Sequence, residues 1–458
     1  MTHEIKNNTG KTIFLTVSKG TIAKNILRSG TLDELTRRGF TIILFFESVR
    51  DIPMPSYLTQ EFAGPQVIIE EIRPVPRGFW HRRFTRLTSV FVYNKVTRLF
   101  RYVRYGWPMY RYYIERVVLP VVSKIDILKR AARFIEKNFF YYGTYEAYFD
   151  RYQPSVVFTT SIIGGSDIEM MKEAQRRGIP TVSMPRGWDN INTILYEFVP
   201  DRLLLQGDIM KEGAKKYQGI DPEKVSIIGF PQFDLYRKPE ILISREEYCT
   251  RYGLDPKLKI ILWASSWAPK DQGAAQTMIE ALKTPGALDE KANLVIRSHF
   301  LNPDNHSLGD SGSHIAMDRG FTPSDYFRDN CDPTIADMVG LANTLYHADL
   351  VITQCSTIVL DAFCYDKPVI NIVFKSFYDK NGKDISRLLY NHDYYMYILD
   401  SGATDLAHSE QELVEKINQN LKHPEARASG RAEVIRALAH AIDGKSSERV
   451  ADVIASLA

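Results

Sequence analysis

Short apolar runs recur along this chain, and most are followed by a turn and a stretch of helix length. That alternation admits few folds. Strands that lack polar alternation need cover on both faces, and helices between successive strands supply it only when the sheet is parallel. The first repeat reads as a strand over Ile13–Ser18, a turn at Lys19-Gly20-Thr21, and a helix over Ile22–Arg38 with a break at Gly30. Gly39 ends that helix and Thr41–Glu47 is the next strand, which completes a βαβ unit.

The pattern returns at Ser155–Thr160, Ile179–Met184, Arg202–Gln206 and Val225–Gly229, with helices over Ser166–Arg177 and Ile209–Tyr217. A Pro-marked passage from Gly229 to Pro239 then reads as a crossing between domains. A second series follows, with strands at Ile260–Ser265, Leu294–Ser298, Leu350–Thr353 and Val369–Val373. Its helices span Gln276–Leu282, Ile335–Tyr346 and Ile358–Phe363, and amphipathic helices cover Glu410–Leu421 and Arg431–Leu457. Two such arrays in 458 residues predict an α/β protein of two facing, Rossmann-like, doubly wound domains, 1–235 and 236–458. Ligands are then expected at the carboxyl ends of the strands, in the cleft, and the last helices are expected to pack back on the first domain.

The overall charge of +3 hides an asymmetry. Between Arg73 and Phe140 there are 16 Lys and Arg against three acids, Glu115, Asp126 and Glu136, so this block carries +13 and the remainder −10. Aromatic residues interleave with the cations across a helical insertion, 73–150, in the first domain. Arg82, Arg83, Arg86, Arg98, Arg101 and Arg104 recur at helical spacing and predict a shared face, flanked by Trp80 and Trp107. An anionic membrane surface fits this pattern, as does an ordinary helical insertion with core aromatics; nucleic acid is not the expected partner. No apolar run has the length of a membrane span and Met1–Asn8 has no apolar signal core. Four cysteines without a CxxC pair argue against a disulfide framework or zinc finger. The expected location is cytoplasmic, peripheral on the inner face of the cell membrane.

Candidate chemistry falls at strand ends. Gln354-Cys355-Ser356-Thr357 lies between a strand and a helix, where hydroxyls and free N–H groups suit a phosphate; plain helix capping is the alternative. Asp361 is placed to reach a ribose or acceptor hydroxyl, or is a solvated helix acid. Arg297 and His299 end a strand with a bidentate cation and an imidazole. Trp188, Asp189 and Asn190 follow another strand, with Asp189 a candidate general base or the holder of an Asx turn. Asp167 and Glu169 are next in line for the base. Lys19 and Gly20 offer small, donor-rich backbone after the first strand, but the loop is neither a dinucleotide fingerprint nor a P-loop. No cluster has metal-ligand spacing, so no metal is expected.

The order of motifs then carries a resemblance. Gly229-Phe230-Pro231-Gln232-Phe233-Asp234 precedes Leu262-Trp263-Ala264-Ser265-Ser266-Trp267, then Arg297-Ser298-His299, Asp337, Asp349, Gln354-Cys355-Ser356-Thr357 with Asp361, and Asp366-Lys367-Pro368. This resembles the GT-B superfamily, nearest to the CDP-glycerol glycerophosphotransferase-like and surface-polysaccharide glycosyltransferase group. Hydrolysing nucleotide-sugar 2-epimerases share that scaffold. Two positions depart from the group's pattern: His299-Phe300 stands where His-Pro is usual, and Cys355-Ser356-Thr357 replaces a double serine. The resemblance implies a glycosyltransferase that uses a nucleotide-sugar donor and a glycan or lipid-linked acceptor in surface polysaccharide biosynthesis, without a cofactor. Arg297, His299, Gln354, Ser356, Thr357 and Asp361 would then hold the donor, and Lys19, Gly20, Trp188 and Asn190 the acceptor, with Asp189 and His299 catalytic. A 2-epimerase, a CDP-glycerol-type glycerophosphotransferase and a non-catalytic glycan- or lipid-binding protein are the alternatives.

Overall fold

The computed structural model describes residues 10–48, 51–105, 110, 113–265, 272–299, 314–318, 320–379, 381–391 and 393–458. Two parallel sheets organise the chain. The first has seven strands in the order β3-β2-β1-β4-β5-β6-β7. These are β1 (Thr12–Val17), β2 (Thr41–Glu47), β3 (Val67–Ile72), β4 (Val156–Thr159), β5 (Thr181–Ser183), β6 (Arg202–Leu205) and β7 (Val225–Ile227). The second has six, in the order β10-β9-β8-β11-β12-β13. They are β8 (Lys259–Ala264), β9 (Ala292–Arg297), β10 (Ile315–Asp318), β11 (Leu350–Thr353), β12 (Val369–Ile372) and β13 (Asp405–Ala407). Every strand pair in both sheets is parallel.

Both faces of the first sheet are buried, as an unbroken apolar strand requires. Ile13, Leu15 and Val17 enter one core with Ile22, Ile26, Leu35, Val450 and Ile454, while the intervening Phe14 enters another with Phe45, Phe149 and Met170. The second sheet buries Ile261, Trp263, Leu294, Ile296, Ile352 and Ile370. Gly30, at φ 102°, breaks the helical stretch after β1 where the sequence places the break.

The chain divides into two compact units: 1–234 with 324–332 and 443–458, and 235–323 with 333–442. The short segment 324–332 comes from the second half of the sequence yet buries Tyr326 and Phe327 in the first unit's core. Its anchors are ionic as well: Arg28 forks between Glu61 and Asp332, and Tyr57 donates to Asp332 at 2.6 Å. The helix Ser446–Leu457 also belongs to the first unit; Asp234 accepts from the N–H groups of Ser446 and Ser447 at 2.9 and 2.8 Å. The expected unbroken helix over Arg431–Leu457 is interrupted. A turn carrying His440 and Gly444 at positive φ separates it into the stretch 428–439 and Ser446–Leu457.

Candidate active site

A doubly wound sheet binds ligands where its strand order reverses, outside the carboxyl ends of the two strands that start in opposite directions. That point lies between β1 and β4 in the first sheet and between β8 and β11 in the second.

At the first point a threonine and an aspartate meet. Thr16, near the end of β1, donates its hydroxyl to Asp167, in the helix Gly165–Arg176 that follows β4. Asp167 is completely buried, and burial raises its pKa to about 7. Glu47 ends β2, is buried too, and is raised by the same cause while Ser166 hydrogen-bonds to it. Glu169 is buried but accepts from the Tyr142 N–H at 2.7 Å, which fixes the loop before Glu146–Tyr152.

The loop after β1 is held by the segment 324–332. The Asp329 carboxylate accepts from the N–H of Gly20 at 2.9 Å and of Thr21 at 3.2 Å, and from the Thr21 hydroxyl at 2.6 Å. An internal carboxylate thus occupies the N–H groups that the sequence offers to an acceptor. Only glycine fits at position 20, because a Cβ there would lie 1.7 Å from the Cys331 carbonyl oxygen. Lys19 remains half-buried with Arg186 and Arg328 as cationic neighbours and Asp329 and Glu47 as anionic ones. Burial first, then Arg186, lowers its pKa to about 8. Among the described residues, no ion pair involves Lys19, Arg186 or Arg328, which leaves a cationic cluster suited to an anion.

Asp189 neighbours this cluster. Its pKa is raised by burial and opposed by Arg186 and Lys19. The loop around it is well fixed: Asn190 accepts from the Gly187 N–H at 3.2 Å and donates to Asp189 at 3.3 Å, and Asn25 donates to the Arg186 carbonyl at 3.3 Å. Trp188 is 3% exposed and packs as a core residue, and Asn190 is buried. Both shape the loop that presents Asp189. Glu47, Arg186, Asp329 and Arg328 were not singled out from the sequence. Glu47 had a signal, a lone acid closing an apolar strand; Asp329 and Arg328 had none, because they reach the loop from a distant segment.

At the second point the hydroxyl of Thr353, ending β11, donates to the Ala264 carbonyl, ending β8, at 2.9 Å. Ala264 pairs in register with Arg297 of β9, so Arg297, Ala264 and Thr353 form a row along the carboxyl edge. Arg297 is buried and one arm of its guanidinium pairs with Asp318. Burial opposes its charge and Asp318 more than restores it. Among the described residues, its Nη2 has no hydrogen-bond partner. His299 donates its backbone N–H to Ser265 at 2.8 Å. Burial, then Arg297, lowers the imidazole to about 4, so at neutral pH it is uncharged. It is a hydrogen-bonding group there and not a cation.

The loop after β11 is pinned by Tyr395, whose hydroxyl lies 2.7 Å from Asn371 Oδ1 and 3.3 Å from the Gln354 carbonyl. Gln354 is buried, Ser356 half-buried and Thr357 exposed. Among the described residues, no side-chain hydrogen bond caps the helix Ile358–Phe363 at Thr357. Asp361 is buried, not solvated, and accepts from the Tyr236 hydroxyl at 2.5 Å. Ser266, Trp267, Phe300, Asn302 and Pro303 lie outside the described residues.

One group of metal-ligating types occurs among the described residues: His81, Glu136 and Glu197, with ligand atoms within 4.8 Å of one another. Lys172 pairs with Glu136 at 2.7 Å and Arg77 forks onto Glu197 at 2.9 and 2.6 Å. With each carboxylate already matched by a cation, the group reads as an ion-pair network. The four cysteines are free thiols.

The description CDP-Glycerol:Poly(glycerophosphate) glycerophosphotransferase matches residues 199–456, more than half of the chain. The chain belongs to that family. It is therefore a transferase, and the second switch point lies within the matched residues. No curated protein sequence matches it. Among solved structures, the UDP-GlcNAc 2-epimerase of Neisseria meningitidis is similar with a TM-score of 0.54 and 11% identity, over 97% of this chain and 100% of that one. A glycosyltransferase from Rickettsia africae gives 0.51 and 12%, over 98% and 99%. The wall teichoic acid polymerase TagF gives 0.51 and 12%, over 99% of this chain and 90% of that one. At these identities the likeness is one of fold: two parallel, Rossmann-like sheets, the GT-B fold.

Proposed function

We propose that this protein transfers a sugar, or a related unit such as glycerol phosphate, from a nucleotide-activated donor to a hydroxyl of a glycan or lipid-linked glycan acceptor. The observation that carries the reading is the buried Arg297, whose Nη2 has no partner among the described residues, in one row with Thr353 at the edge from which the Gln354–Thr357 loop leaves, inside the family match. A buried guanidinium nitrogen without a partner calls for an acceptor oxygen, and a phosphate supplies one in a charge-assisted bond. His299, uncharged, donates or accepts a hydrogen bond at the same edge. Ser356 and Thr357 complete the phosphate contacts, and Asp361 acts through Tyr236.

The acceptor is held by the first unit. Lys19 and Arg186 attract its anionic groups, and Asp189 takes the proton of the attacking hydroxyl. Its raised pKa brings it closer to neutrality, which favours a general base. The leaving nucleotide phosphate is neutralised by side chains, so the proposed reaction calls for neither cofactor nor metal.

The test is thermal stabilisation by UDP- and CDP-activated donors, followed by nucleotide release with and without a glycan acceptor. Release that depends on the acceptor is expected. Conversion of a lone nucleotide sugar would instead mark an epimerase, and absence of binding to every donor would end the reading.

A further inference from the structure

Lys19 is an amine that the first unit surrounds with charge and leaves without an ion pair. It lies just after β1 and is half-buried. Hydrogen bonds bring two arginines to its loop. Asn25, within the helical stretch Ala23–Leu27, donates to the Arg186 carbonyl at 3.3 Å. Asp329, bonded to the Gly20 and Thr21 N–H groups, seats the adjacent Arg328 beside them. The acids around Lys19 are engaged elsewhere. The Asp329 carboxylate takes three hydrogen bonds from Gly20 and Thr21. Glu47 accepts from Ser166, and burial favours its protonated form. Asp189 accepts from Asn190 at 3.3 Å. Among the described residues, none of these acids forms an ion pair with Lys19, Arg186 or Arg328. The surroundings act twice on the amine. Burial, then the Arg186 charge, brings its pKa down to about 8, with Arg328 adding to the effect and Asp329 and Glu47 opposing it. An amine that sheds its proton near neutrality is a nucleophile. The same two guanidinium groups attract an anion and can fork onto its oxygens.

We propose that Lys19 is a covalent modification site for aldehydes that carry a phosphate, which it takes up as a reversible imine. Arg186 and Arg328 hold the phosphate, and the free amine attacks the carbonyl carbon. A C–N bond forms, and the carbonyl oxygen leaves as water with the two amine protons. A proton from solvent then settles on the imine nitrogen and restores the positive charge. No oxidant or reductant is consumed. The arginines select the ligand class: an uncharged aldehyde meets nothing that recruits it, whereas a phosphate offers its oxygens to both forks. Other lysines lack this combination. Lys129 and Lys172 are buried but each pairs with a carboxylate. The pKa of Lys367 is lowered too, mainly by burial, yet its arginine neighbour, Arg245, is paired with Asp349. Open-chain sugar phosphates have the required chemistry, so the modification makes the protein responsive to their level. The imine fills the place that the proposed function gives to the acceptor's anionic groups. Blocked acceptor entry is therefore a consequence that rests on that reading, while the modification itself does not.

The test needs neither donor nor turnover, so its failure and that of the transferase reading are separate results. The full chain is treated near neutral pH with pyridoxal phosphate and reduced with borohydride, which fixes imines. Digestion and mass spectrometry then give the labelling rate of each lysine. Lys19 should be labelled about 10-fold faster than the exposed Lys257 and Lys291, because its larger free-amine fraction outweighs its weaker nucleophilicity. Pyridoxal, which lacks the phosphate, should label Lys19 about 10-fold more slowly than pyridoxal phosphate does, with no such difference at Lys367. Inorganic phosphate should protect Lys19 and leave Lys257 unaffected. Arg328→Gln, at an exposed position, should slow the labelling of Lys19, and Lys19→Arg should remove that label from the digest. Three results would overturn the inference: Lys19 labelled no faster than Lys257, equal rates at Lys19 with pyridoxal and its phosphate, or no protection by inorganic phosphate.

Discussion

The two switch points share a scaffold and differ in proton content. Each is bridged by a threonine, Thr16 to Asp167 in the first sheet and Thr353 to the Ala264 carbonyl in the second. The first gathers carboxyl groups, Asp167, Glu47 and Asp189, which burial pushes toward the protonated form. The second gathers Arg297 and a neutral His299. Under the proposed function, the first takes a proton and the second holds the donor's negative charge. That division is what transfer to a hydroxyl from a phosphate-linked donor needs.

The largest expected effect lies at the first point. Asp189→Asn should lower turnover by ~10²–10⁴-fold with donor affinity unchanged, measured by steady-state kinetics beside donor titration. An active Asn variant would transfer the role to Asp167. Next come two stability effects of similar size. Phe327→Ala empties a fully buried site in the first unit and should destabilise by ~3–5 kcal/mol in denaturant unfolding. Arg297→Met leaves Asp318 buried without its partner and should also cost ~3–5 kcal/mol. Arg297 is thus a poor position at which to remove a phosphate contact while keeping the fold intact. Wild-type stability in either variant would contradict the packing described.

Acidity should separate the two points by sign. His299 titrates near 4 in the native chain against an ordinary 6.5, so between those values the unfolded chain binds the proton that the native one refuses. Stability should fall as pH drops through that window, by ~3 kcal/mol at most. Asp167 titrates near 7 against an ordinary 3.8, so its native form holds the proton longer and stability should fall as pH rises from 3.8 to 7. His299→Gln should flatten the acid arm of the unfolding profile, and Asp167→Asn the other; unchanged profiles would erase the contrast. The smallest effect is at the loop. Ser356→Ala or Thr357→Ala should weaken nucleotide binding by ~10–100-fold, the range for a bond to a charged group, without altering stability.

The sequence revealed the inner strands and left out three edges. β3, β10 and β13 were not expected, and each lies at the end of its sheet. An edge strand is half exposed, so β3 carries Glu70 and Glu71 where an inner strand would be apolar throughout. The loops at Lys19, Asp189, Arg297 and Gln354 were legible because each follows an apolar strand. Their partners were not. Asp329 and Asp318 are distant in sequence, and no local pattern announces a carboxylate that will seat on Gly20 or on Arg297. The helical insertion was half legible: its cations and aromatics were countable, but the sequence did not show that Glu115 and Glu136 turn inward onto Arg101 and Lys172.

The composition of the first unit has a consequence for synthesis. Its sheet emerges from the ribosome early, but the segment that seats Phe327 and the helix that covers Ile13, Leu15 and Val17 with Val450 and Ile454 come much later. While 235–323 is being made, that apolar face lacks the cover of Phe327, and it lacks that of Val450 and Ile454 until 442 is passed. The unit encoded second holds all its parts before the unit encoded first does. Maturation therefore runs against the order of the sequence, and a nascent chain stalled before residue 443 would present a partly uncovered apolar face to chaperones and proteases.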